Sequence, residues 1–146
     1  MSFVISDFLP YLLNRAAEQS SISFQKIYKD RFGMLRTEWR VLFHLGFYGP
    51  LTASAICEMA GLHKTKVSRA VSALEDKQYL TRVVTETDRR FEILSLTKSG
   101  QEVFTYLEAQ AETFHKALMA PFSESERAVL QKCLLQLKDA SAHSKL

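Results

Sequence analysis

Apolar residues return every three or four positions near the start of the chain, at Phe8, Leu9, Leu12, Leu13, Ala16, Phe24, Ile27 and Tyr28. That spacing predicts a helix from Ser6 to about Arg31. Pro10 falls early enough to be tolerated near its first turn, and Gly33 is a natural C-terminal stop. A second helix is expected with Thr37 as its cap and Trp39, Val41, Leu42 and Leu45 toward a core, ended by Gly49-Pro50. Thr52 then caps a short helix, Ala53 to Ala60, with Ile56 and Met59 at i and i+3. Gly61 turns the chain into a fourth helix from about Lys64 to Lys77, whose apolar stripe is Val67, Ala70, Val71 and Leu74. Two helices of this length about a tight glycine turn form a helix-turn-helix.

Past Lys77 the pattern changes. The stretches 79–84 and 91–96 are rich in β-branched and aromatic residues, and the polar segment Thr85 to Arg90 lies between them. This predicts a β-hairpin with a charged tip, and a hairpin directly after a helix-turn-helix is a wing. Thr97 opens a long helix with Val103, Leu107, Gln110, Ala111, Phe114 and Leu118 on one side, and Pro121 breaks it. Ser123 and Glu126 then have the spacing of a capping box before a last helix bearing Val129, Leu130, Cys133, Leu134 and Leu137.

The fold expected is mainly α with a small β-hairpin wing: a winged helix-turn-helix with N- and C-terminal dimerisation helices. Residues 1–34 would be an N-terminal helix contributing to dimerisation, 35–98 the winged helix-turn-helix domain, and 99–146 the C-terminal dimerisation helices. The outer helices carry more apolar surface than the winged unit needs. Folding back on the same chain would cover it, but a homodimer is the stronger expectation.

Composition narrows the picture. A chain of 146 residues with 47% hydrophobic and 24% charged positions is not expected to be disordered. No apolar run reaches the roughly 20 residues of a membrane helix. The first ten residues lack a basic n-region and contain Asp7, so no signal peptide is read there and the cytoplasm is expected. The two cysteines, Cys57 and Cys133, sit in apolar helical patterns and read as inert core thiols. Oxidation sensing would require an exposed thiol of lowered pKa.

The net charge of +3 gains meaning from its location. From His63 to Lys98 there are eight basic and five acidic residues, while the rest of the chain balances at eleven of each. The whole excess therefore lies on the helix-turn-helix and wing, as a polyanion footprint would. On the fourth helix, removing the buried stripe leaves Lys64, Thr65, Lys66, Ser68, Arg69 and Ser72 outward. Thr65, Ser68, Arg69 and Ser72 share one face at i, i+3, i+4 and i+7. A helix fits the major groove of double-stranded DNA, where Arg can donate to guanine and short hydroxyl side chains allow close approach, with lysines on phosphates. An ordinary polar face would explain the polarity but not the lack of acids from His63 to Leu74. At the hairpin tip, Arg89 and Arg90 could reach phosphates or a minor groove. Asp88 would either orient an arginine or be a solvated turn residue.

Catalysis has little to stand on. The four histidines are scattered without metal spacing, no glycine-rich phosphate loop is present, and no cofactor or metal is expected.

With these residues in place the chain resembles the MarR (multiple antibiotic resistance regulator) family. Thr37-Glu38-Trp39-Arg40-Val41-Leu42 is similar to the opening of the family's second helix, and Gly49-Pro50-Leu51-Thr52 to its next turn. Leu62 to Arg69 is similar to the start of its recognition helix. Thr87-Asp88-Arg89-Arg90 resembles its wing tip, and Leu96-Thr97-Lys98-Ser99-Gly100 the run that follows. The resemblance implies a homodimeric repressor on a pseudo-palindromic operator, released by a small aromatic or anionic effector or by thiol oxidation. It implies an effector cleft near Trp39, Arg40 and His44, although Trp39 reads equally well as plain core. Two positions depart from the family pattern. Gln78 replaces the glycine usual after the recognition helix. His63 replaces a Ser, Thr or Asp cap and could contact phosphate with a pH dependence. The common first-helix cysteine is missing. The competing expectation is a winged-helix protein-interaction module without specific DNA binding.

Overall fold

The computed structural model describes residues 2–84 and 91–143, with side chains through residue 140. A 3-10 turn, Ile5–Asp7, precedes α1 (Leu9–Phe32), followed by α2 (Arg36–Tyr48), α3 (Ala53–Ala60) and α4 (Lys64–Asp76). Strands β1 (Leu80–Val84) and β2 (Glu92–Leu96) come next, then α5 (Lys98–Met119) and α6 (Glu124–His143). The strands pair antiparallel with Leu80 opposite Leu96, Arg82 opposite Leu94 and Val84 opposite Glu92. Leu51 adds a third short rung, exchanging both backbone hydrogen bonds with Leu94 at 2.8 and 3.1 Å. Helix-turn-helix followed by hairpin is the winged arrangement that the pattern predicts. No described helix is long and apolar enough to cross a membrane.

The chain divides into two compact units, Met1–Gln110 and Ala111–Leu146. The first holds the core. Val41, Leu42 and Leu45 from α2, Ile56 from α3, and Val67, Ala70, Val71 and Leu74 from α4 are all buried. Leu80 and Leu94 bring the hairpin base into it, and Val103, Phe104 and Leu107 bring the first half of α5. In the second unit, Ser123 and Glu126 form the predicted capping box. The Ser123 N–H donates to Glu126 Oε1 at 2.9 Å, and the Glu126 N–H donates to Ser123 Oγ at 3.1 Å. These bonds lower the Glu126 carboxyl below its ordinary pKa.

Several expectations are corrected. The α-helix begins at Leu9 rather than Ser6. Pro10 has no N–H to offer the Ser6 carbonyl and its ring would collide with it, so Pro10 stands in the first turn instead. The cap of α2 is Leu35, not Thr37. Glu38 performs the capping from inside the helix by accepting the Leu35 N–H at 3.2 Å. Met59 is 46% exposed on the outer side of α3, and Leu118 is also exposed. Neither cysteine is a core thiol: Cys57 is half-buried and Cys133 is exposed. Periodicity placed Cys133 on the apolar side of α6, yet Val129, Leu130 and Leu134 on that side are themselves exposed in the single chain.

The junction from α4 to α5 explains two further sequence features. Gln78 adopts φ 64°, among the described residues the only non-glycine position with positive φ. The N–H of Thr97 donates to the Tyr79 carbonyl at 3.0 Å, while the Thr97 and Ser99 hydroxyls donate to the Gln78 carbonyl at 2.7 and 3.0 Å. Thr97 Oγ1 also caps α5 by accepting the Gly100 N–H at 3.0 Å. Gly100 rests against the Tyr79 carbonyl so closely that a Cβ would overlap its oxygen. The Leu96-Thr97-Lys98-Ser99-Gly100 run is thus a clamp on the end of α4.

Gly100→Ala should destabilise the protein by about 3 kcal/mol, because backbone rather than a pliant side chain must move. Gln78→Gly should stabilise it by about 0.5–1 kcal/mol, relief of the left-handed backbone exceeding glycine's added chain entropy. Thermal melts of the two variants should therefore shift in opposite directions.

Candidate nucleic-acid interface

Local caps set the angle between α3 and α4. The Thr52 hydroxyl accepts the Ala55 N–H at 3.1 Å, and Gly61 closes α3 with φ 65°. His63 then caps α4 through Nδ1, which accepts the Thr65 N–H at 3.3 Å. This bond needs an unprotonated Nδ1 and is longer than a hydroxyl or carboxylate cap would give. At the other end, Lys77 Nζ donates to Glu38 Oε1 at 2.9 Å. Glu38 is buried, so one carboxylate both caps α2 and ties it to the C-terminus of α4.

With its inner stripe buried, α4 presents Lys64, Thr65, Lys66, Ser68, Arg69 and Ser72 to solvent, and His63 is exposed at its start. No described carboxylate pairs with Lys64, Lys66 or Arg69. The outer face is therefore a surface of cations and short hydroxyl side chains, the chemistry that suits a polyanion with readable base edges. Ser72 differs from the others, because its Oγ accepts Arg82 Nη2 at 3.1 Å. Arg82 also donates Nε to Glu75 and Nη1 to Glu92, each at 3.2 Å. Nothing in the residue pattern singles out Arg82, Glu75 or Glu92. A groove of about 420 Å³ runs between α3, α4 and the hairpin, and Cys57, Lys64, Ser68 and Arg82 are among its lining residues. Cys57 thus lines the same groove as Lys64 and Arg82. The wing-tip candidates Asp88, Arg89 and Arg90 lie outside the described residues.

The three effector candidates lie on α2, each with its own surroundings. Trp39 joins an aromatic cluster, parallel to Tyr28 at 5.5 Å and beside Phe24 and Phe43 at 5.2 and 4.8 Å. Its Nε1 is buried with no hydrogen-bond partner among the described residues. Burial raises the neighbouring Tyr28 phenol above its ordinary pKa, opposed by a hydrogen bond from Arg36. Arg40 faces elsewhere, donating Nη2 to the Ala60 carbonyl at the end of α3 at 2.6 Å. His44 Nδ1 lies 2.7 Å from the Arg40 carbonyl oxygen, a satisfied position.

Comparison with known proteins agrees with this geometry. Residues 32–90 match the MarR family model. YwaE of Bacillus subtilis (strain 168), an HTH-type transcriptional regulator, is 25% identical over 130 residues, covering 87% of this chain and 74% of that protein. A MarR/EmrR family transcriptional regulator from Acinetobacter sp. ADP1 superposes with a TM-score of 0.89 at 27% identity, covering 97% of this chain and all of that one. BpsR of Bordetella bronchiseptica, whose DNA binding is regulated by 6-hydroxynicotinic acid, shares the fold at a TM-score of 0.86 and 19% identity, covering 95% of this chain and 99% of its own.

Proposed function

We propose that this chain, whose residues 32–90 match the MarR family model, is a DNA-binding transcriptional regulator of that family and acts as a homodimeric repressor released by a small molecule. The single observation that carries the DNA-contacting role of α4 is its cationic face, Lys64, Lys66 and Arg69 around Thr65 and Ser68, which no described carboxylate pairs and which a buried inner stripe holds outward. In this reading α4 enters the major groove, Arg69 donates to a base edge, and Thr65 and Ser68 make short contacts to bases or phosphates. Lys64 and Lys66 neutralise phosphate, and His63 sits at the helix start where a backbone phosphate would approach. Ser72 keeps its hydroxyl proton for donation while its oxygen is held by Arg82. Asp88, Arg89 and Arg90 would reach the flanking backbone or minor groove.

Homodimerisation is supported by apolar surface that each unit leaves open. Near the N-terminus Phe3, Ile5, Phe8 and Leu12 are exposed, and along α6 so are Val129, Leu130 and Leu134. A second copy covering these stripes would place two α4 helices on a pseudo-palindromic operator. Ligand release draws on BpsR, whose DNA binding a small aromatic acid regulates. Here the buried, unpartnered Trp39 Nε1 within an aromatic cluster is the donor that such an effector could satisfy. Arg40 and His44 would contribute only if their present bonds rearranged. The interaction-module reading is not favoured, since it leaves the cations of α4, which no described carboxylate pairs, without a role.

Three measurements test these roles. In anisotropy titrations on a duplex from the chain's own upstream region, Arg69→Ala should weaken specific binding by about 1–3 kcal/mol. Arg90→Ala should weaken all duplexes alike and reduce the salt slope by about one contact; wild-type behaviour of both variants would discard this orientation on DNA. In sedimentation, the wild type should be a dimer at micromolar concentration. Leu130→Glu combined with Leu134→Glu should raise its dissociation constant about a hundredfold or more, and a monomeric wild type would remove the dimer. Finally, small aromatic acids should change Trp39 fluorescence and release DNA together, and a fluorescence response without release would sink the effector role.

A further inference from the structure

Resting on the DNA-binding reading above, we infer that Arg82 is a positioning residue that fixes the hairpin to the recognition helix. The register of the hairpin places Leu80 and Arg82 of β1 on one face with Glu92 and Leu94 of β2. At the base of the hairpin that face is apolar: Leu80 and Leu94 are buried in the core. Two residues further out it turns polar, with Arg82 on β1 and Glu92 on β2. Beyond Leu80 and Leu94 on this face Val84 and Glu92 are exposed and Arg82 is partly so, so little apolar burial holds this part of the hairpin to α4.

The guanidinium fills that role. Its three nitrogens address three acceptors: Nε donates to Glu75 on α4, Nη2 to Ser72 one turn earlier on the same helix, and Nη1 to Glu92 on the opposite strand. Only a planar fork with fixed donor directions can reach two positions of a helix and a neighbouring strand at once. A lysine would retain the charge but offers one compact ammonium. Arg82 and its carboxylates are partly solvated, with side-chain exposures of 31% for Arg82 and 44% and 45% for Glu75 and Glu92, so the cluster adds little to global stability. Its effect is geometric. It sets where the hairpin stands relative to Ser68 and Arg69, and hence whether both elements can meet one duplex.

Arg82→Lys and Arg82→Gln separate this role from charge and from folding. The DNA probe is a duplex enriched from a random pool by the wild-type chain, with a scrambled duplex beside it. Arg82→Lys should leave the melting temperature near wild type while speeding amide exchange in β1 and β2 about tenfold, with α2 and α5 unchanged. Its affinity for the enriched duplex should fall about tenfold, with the scrambled duplex and the salt slope unaffected. Adding Glu92→Gln to Arg82→Lys should change nothing more. Wild-type exchange and affinity in Arg82→Lys would overturn the assignment. So would an Arg82→Gln variant that loses both duplexes equally with a salt slope lower by one contact, since Arg82 would then be a phosphate ligand. If the wild type enriches no duplex, the DNA reading itself fails, and hairpin exchange alone still decides whether Arg82 is the clamp.

Discussion

Val67, Ala70, Val71 and Leu74 leave water together on the inner side of α4, and the outward chemistry of that helix depends on their doing so. A helix is amphipathic in only one rotation about its axis. Burying these four against α2 and α3 therefore fixes the direction of Lys64, Thr65, Ser68 and Arg69 without any interaction among those residues. Full burial of a Val or Leu side chain is worth about 1.5–3 kcal/mol, more than any single exposed hydrogen bond on the outer face could oppose. The remaining freedom, sliding or tilting along the axis, is removed at the ends. His63 and the Gly61 turn hold one end; Glu38, Lys77 and the Thr97–Gly100 clamp hold the other.

What could be read from the chain was what is local. The stripe of α4, the Thr52 cap, the glycine turn and the Ser123–Glu126 box each involve residues within one or two turns, where spacing dictates contact. At Gln78 the sequence shows only the departure from the family's glycine; that the backbone still adopts φ 64° there is not legible in it. The Leu35 cap is not legible either. Leucine has no side-chain acceptor, so attention goes to Thr37, whereas Glu38 reaches back from inside the helix to do the work of a cap. Glu38 also shows why a carboxylate in an otherwise apolar helix can be buried: both its oxygens are used, one on the Leu35 N–H and one on Lys77.

Periodicity identifies which face of a helix is apolar and says nothing about what covers it. The same rule that placed Val67 and Leu74 in the core placed Cys133 and Leu130 on an apolar side of α6, and there the single chain provides no cover. The difference between the two cases lies in neighbours distant in sequence. The Arg82 cluster is another instance. Residues 72, 75, 82 and 92 meet only because β1 packs beside α4 and the hairpin register folds β2 back beside β1.

Charge counting along the chain understates how polarised the surface is. The acids between His63 and Lys98 seem to dilute its basic residues, yet Glu75 and Glu92 both serve Arg82, and Lys77 is taken by Glu38 from α2. These pairings consume opposite charges between the hairpin and α4 and at the helix exit. Lys64, Lys66 and Arg69 keep theirs on the outer face, where no described carboxylate meets them. A surface field depends on which charges are left unpaired and where they point, not on the sum over a segment. Among the described residues, the ion pairs of Arg82 and Lys77 thus stand apart from the cations on the outer face of α4.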